Sequence, residues 1–172
     1  MSRSTALPVA YVFLSTLRLL NWLGGAAIFA LLFATVVARD WTFTALGIAP
    51  ESEIASMIMG LRLIAVLGLV AVLLNNAILK RLVAMVETVR AGDPFVAANA
   101  HRLHAIGWIL VGLQFLGLAI GAIGKVISTE ANPVALDAGF SINGWLAVVL
   151  TFVLARVFAE GTLMREDLDG TV

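Results

Sequence analysis

The sequence predicts an all-α integral membrane protein. The expected form is a four-helix bundle with both termini in the cytoplasm and helices two and three extended into a cytoplasmic hairpin. Three observations predict it. The chain is 61% hydrophobic and 13% charged, against about 45–50% and about 25% in soluble domains. Its apolar residues gather into four runs near the roughly 20 residues that a bilayer core requires. Its basic residues crowd one set of helix ends.

The first span runs from Tyr11 to Ala38. Val36-Val37-Ala38 resembles a signal-peptide cleavage site, but the apolar run is far longer than the about 7–15 residues of a signal sequence, so retention is expected. The second span covers Ile54 to Leu79 and continues as a helix to Arg90. The third covers Ile106–Ile127 and the fourth Ile142–Ala159. None shows the alternating pattern of a membrane β-barrel. With no internal repeat or linker, residues 1–172 read as a single polytopic domain.

Direction follows from charge. Arg3, Lys80, Arg81, Arg90, Arg102, Arg156 and Arg165 fall at or beyond one set of helix ends, and Arg39 and Lys125 at the other. The richer side is the cytoplasmic one. Nine Arg against two Lys, beside abundant Ala, Leu and Gly, suits a GC-rich bacterial genome.

The second helix overruns the bilayer. From Glu53 to Arg90 nothing breaks it until Gly92, a natural residue for the position after a helix end. Asp93 is expected to cap the next helix, with Pro94 in its first turn. A helix of that length measures about 57 Å, some 20–25 Å more than the bilayer needs. A hairpin over about residues 80–105 is therefore expected to protrude. From the fourth helix into the tail, residues 160–172, Leu154, Phe158, Met164 and Leu168 approximate a continuing helical stripe that Gly161 weakens. On the outer side Trp41, Phe43 and Phe140 are candidate interface anchors.

Polar residues inside the spans are the candidate intramembrane sites. Arg18 lies where its side chain can snorkel to the headgroups. Arg62 is deeper, and Arg62, Asn76, Lys80 and Glu87 fall within about 40° on one helix face. That stripe is either a network that orients helices or the wall of a ligand cavity. On the third helix Gly107, Leu110, Gln114, Gly117, Gly121 and Gly124 follow a packing rhythm, with Gln114 available to bond across the contact. The seam serves packing within the bundle or, alternatively, a dimer.

Several chemistries are excluded or unsupported. Zero net charge gives no footprint for direct nucleic-acid binding. Without cysteine there is no thiolate site. No carboxylate lies within an apolar core, which counts against a proton-coupled exporter. His101 and His104 read as a hydrated interfacial pair, since no third metal ligand stands nearby. No cofactor, metal or enzymatic constellation is nominated.

Gly92-Asp93-Pro94-Phe95, followed by Asn99-Ala100, Arg102-Leu103 and Ile106-Gly107-Trp108, forms one motif. Ile142-Asn143-Gly144-Trp145-Leu146 and the ending Gly161 with Met164 to Val172 form others. Together they resemble the bacterial four-helix inner-membrane family catalogued as domain of unknown function two-nine-seven-five, over about the last hundred residues. Ala98 stands where that family often has Glu and His104 where it often has Arg, so this tip is less charged. The resemblance implies four spans and no established activity. Members are often encoded beside a small helix-turn-helix regulator, which implies a membrane-bound modulator of transcription.

The leading expectation is a regulator or scaffold that holds a cytoplasmic partner at the bilayer. Its docking residues would be Asp93, Phe95, Arg102, Arg165 and Leu168, with Phe95 and Leu168 as apolar anchors. The alternatives are a binder of an apolar ligand (lipid, quinone or pigment) that depends on Arg62, Asn76 and Gln114, and a small transporter or channel subunit. Homo-oligomerisation is left open.

Overall fold

The computed structural model describes residues 6–37, 54–128 and 139–169. Its described residues form four helices and no strand: α1 (Ala6–Val37), α2 (Ile54–Arg90), α3 (Ala97–Ile127) and α4 (Ile142–Asp169). All four are long and apolar enough to cross a membrane. The sequence limits at Ile54, Arg90, Ile127 and Ile142 agree with the helix ends, while α1 starts about a turn earlier than expected. Trp41, Phe43 and the residues after Asp169 lie outside the described residues.

The helices stand in an open row. α1 packs on α2, α2 on α3 and α3 on α4; among the described residues no other helix pair meets. The expected bundle therefore has no closed centre, and α1 and α4 are its two edges. Outward residues include Phe13, Phe29 and Phe33 on α1 and Leu146 and Leu150 on α4. A contiguous apolar surface of this size is a liability in water and ordinary in lipid.

Glycines set the close approaches. A Cβ at Gly25 of α1 would stand 2.8 Å from Val72 on α2. One at Gly60 of α2 would overlap the Ile127 side chain of α3. One at Gly107 of α3 would stand 2.9 Å from the ring of Phe152 on α4. Within the third-helix stripe, Gly107, Gly121 and Gly124 are buried. Gly117 is looser, for its Cβ would reach only the Gly139 carbonyl, at 3.8 Å.

Gly92 ends α2 as expected, with φ of +87°. Gly92 N–H donates to the Val89 carbonyl at 3.1 Å and Asp93 N–H to the Thr88 carbonyl at 3.0 Å. This paired closure is a Schellman turn, which only a left-handed residue completes comfortably. The expected cap of α3 is corrected. Val96 precedes the helix in an extended conformation without a side-chain cap bond, so neither Asp93 nor Pro94 begins it. The Asp93 carboxylate is instead taken by Arg165 of α4. Gly161 does not interrupt α4, which continues to Asp169.

Candidate functional site

The motif residues around the hairpin assemble into one cluster. Its centre is Asn99, which is wholly buried. A buried carboxamide must find partners for both its donors and its acceptor. The Asn99 Nδ2 donates to Thr88 Oγ1 on α2 at 2.7 Å and to the Pro94 carbonyl at 2.9 Å. Arg102 donates to the Asn99 Oδ1 at 2.7 Å. One side chain thus binds the end of α2, the connecting turn and the first turns of α3.

Phe95 joins that cluster to α4. Its ring lies 5.4 Å from that of Phe158, and a Cβ on Gly161 would stand 2.7 Å from it. Arg165 donates to Asp93 beside this contact. Of the five docking candidates, Asp93, Phe95, Arg102 and Arg165 come together here, engaged largely with one another's helices. Leu168 falls in the last turn of α4, and its side chain lies outside the described residues. Sequence reasoning quoted Asn99 within a motif without giving it a role; its signal was an amide in a helix turn otherwise built of alanines.

The intramembrane candidates divide between two helix contacts. Arg18 Nε donates to Asn76 Oδ1 at 3.2 Å, and Asn21 donates to the Val72 carbonyl at 3.0 Å. Arg62 donates to the Thr35 carbonyl at 2.6 Å. All of these tie α1 to α2. Gln114 belongs elsewhere: its Nε2 donates to the Ser141 carbonyl at 3.1 Å where α4 begins, and Gly144 leaves room for its amide. Arg62, Asn76 and Gln114 therefore do not line one cavity. Thr35 and Asn21 were not anticipated, because their role depends on which α1 face meets α2.

These contacts also fix relative heights. Gly60 lies against Ile127 and Thr88 against Asn99, so Arg62 stands level with Lys125, and Lys80 level with Gly107. Arg62 and Lys80 are separated by eighteen residues of helix, about 27 Å. α4 begins level with Gln114, eleven residues short of Lys125, or about 16 Å. The fourth apolar run thus starts about three turns nearer the hairpin than the third, although run length alone would set them side by side.

Toward the hairpin end, α3 and α4 diverge around a groove of about 650 Å³. Ala97, Ala100, Ala155 and Ala159 line it, with His101 and Glu166 among its polar residues. It closes at an aromatic cluster in which Phe152 meets His104 at 5.5 Å and Trp108 at 5.7 Å, each edge to face. Arg156, which also lines the groove, pairs with Glu160. Among the described residues, no three His, Asp or Glu side chains gather as a metal site would require.

Residues 64–172 match the family model described as "Protein of unknown function (DUF2975)". No curated protein and no solved structure matches the chain.

Proposed function

The chain belongs to that family of unknown function, and on this premise we propose that it is a multi-pass membrane scaffold that docks a cytoplasmic protein in the α3–α4 groove. The charged residues bound an apolar layer of suitable depth. The layer of about 27 Å between the Arg62–Lys125 level and the Lys80 level is close to the about 30 Å of a bilayer core. Past Lys80, α2, α3 and α4 all continue, and the excess of basic residues supports reading that side as cytoplasmic.

The carrying observation is that this overhang is already organised. Asn99, the Phe95–Phe158 contact and the Arg165–Asp93 pair hold the three helix ends together. They leave beside them a groove in which Ala97, Ala100, Ala155 and Ala159 stand among polar residues such as His101, Arg156 and Glu166. Alanine lets another backbone approach closely, and the mixed charges of Arg156, Glu160 and Glu166 suit a protein rim better than a polyanion. The four assembled motif residues build the platform, and the groove next to them receives the partner. A small helix-turn-helix regulator, the partner implied by the family resemblance, has helices of the right kind to fill it.

Filling the groove tests this reading. Ala97→Trp with Ala159→Trp should abolish recovery of the native partner from host membranes, with insertion and melting temperature held near wild type. Undiminished capture by the folded double variant rejects the groove. The second reading, an apolar-ligand binder, drew on Arg62, Asn76 and Gln114, of which the first two sit in the α1–α2 contact and the third between α3 and the start of α4.

A further inference from the structure

We infer that the α1–α2 contact holds one acidic phospholipid, with its phosphate on Arg18 and Lys80 and an acyl chain in the groove beside them. The inference rests on the chain's crossing the membrane and is independent of the docking groove.

The starting point is a pair of cations without an anion. Arg18 of α1 is half-buried and uses its Nε on Asn76 Oδ1, at 3.2 Å. Its two terminal nitrogens form no hydrogen bond among the described residues. Lys80 is exposed and stands one helix turn past Asn76, about 6 Å along α2 and within about 40° of it. It therefore lies on the side of α2 that meets Arg18. Other basic side chains of α2 are engaged: Arg62 by the Thr35 carbonyl, Arg81 by the Ala77 carbonyl and Arg90 by the ring of Tyr11 at 5.7 Å.

No carboxylate answers Arg18 and Lys80. α1 has none and α2 has only Glu87, two turns beyond Lys80. Among the described residues the ion pairs are Arg156–Glu160 and Arg165–Asp93, both made by α4. A guanidinium half-buried between apolar helices, with a second cation one turn away, calls for an anion from outside the chain. The fork of Arg18 suits a phosphate, which it can bind with two donors at once.

The neighbouring groove identifies the molecule that carries the phosphate. It has a volume of about 350 Å³ and is walled by Trp22, Ala26 and Phe29 of α1 and by Leu69 and Leu73 of α2. No charged residue lines it. Arg18 precedes Trp22 by one turn, and Lys80 follows Leu73 by two turns on the same face. The groove thus leads to the two cations at its hairpin end. An apolar channel that ends on a basic pair is complementary to an amphiphile, whereas inorganic phosphate would leave the channel unfilled. A headgroup ammonium would bring a third cation to a place whose nearest carboxylate on these helices, Glu87, is about 10 Å farther along α2. A lipid of net negative charge is therefore preferred to a zwitterionic one.

Native mass spectrometry of the purified full chain in mild detergent tests this, with phosphatidylglycerol, phosphatidylcholine and inorganic phosphate as probes. The wild type should retain one phosphatidylglycerol and hold phosphatidylcholine several times less well. Lys80→Gln should lower phosphatidylglycerol retention about fivefold, while Lys125→Gln, at the far end of the helices, should leave it unchanged. Ala26→Trp keeps both cations and fills the groove, so it should lower retention at least as much. Melting temperatures near wild type show that the variants are folded, and both altered positions are exposed. Equal retention of the two lipids overturns the proposal, as does unchanged retention in folded Lys80→Gln or Ala26→Trp. Displacement of the lipid by an equal concentration of inorganic phosphate would also overturn it, by making this a site for a free anion.

Discussion

Gly161 of α4 faces the ring of Phe95 so directly that a Cβ there would stand 2.7 Å from the Phe95 Cδ1. The missing side chain is what lets the hairpin turn lie against α4. Gly161→Val should therefore force the contact apart at a cost of about 1–3 kcal/mol, despite the better helix propensity of valine. Gly24 is the control, since a Cβ there meets nothing within 4 Å. Thermal unfolding in detergent should show a lower melting temperature for Gly161→Val than for Gly24→Val. Equal values would mean that the ring of Phe95 moves aside freely.

Asn99 should prove the most costly polar residue of the hairpin. Asn99→Ala removes a wholly buried amide whose three bonds join half-buried Thr88, Arg102 and the Pro94 carbonyl, a loss of about 1–3 kcal/mol. Thr88→Val should cost less, since Asn99 keeps two other partners. A double-mutant cycle between the two should return a coupling of at least about 0.5 kcal/mol. Strict additivity of the two losses would show that the Asn99–Thr88 bond contributes nothing. The half-exposed Arg165–Asp93 pair should contribute at most about 1 kcal/mol.

Topology can be read with the same cysteine-free chain. Cysteines at Gly92 and Gly170 should react only from the cytoplasmic side, and one at Gly47 only from outside. External labelling at Gly92 would reverse the orientation and remove the groove from its supposed partner.

The helices were legible in the sequence because each is a long apolar run with a recognisable end. Gly92 announced the close of α2 through its own chemistry. Asp93 and Pro94 misled for a physical reason: both are common at helix starts, but a remote arginine on α4 outcompetes the local backbone for the carboxylate. Gly161 misled similarly, since propensity weighs a glycine without knowing which ring it will meet. Spacing alone placed Arg62, Asn76 and Gln114 inside the spans but could not say that they serve different pairs of helices. The open row was not legible, because helices that are apolar all round do not reveal which of their faces meet.

That row also bears on how the protein is made. Among the described residues each helix packs only on those beside it in the chain, and it is the hairpin turn that waits for a later segment, Phe158 and Arg165 of α4. α2 can settle on α1 as it leaves the ribosome, α3 on α2, and α4 on α3. The average contact spans a short stretch of chain, the condition under which folding is fast and few wrong partners are met. A ribosome that stops after Ile127 has already released three helices with all their mutual contacts formed. Such a fragment lacks the whole α3–α4 contact, including the anchorage of Phe95 and Asp93, so its hairpin end should be the first part that proteases find.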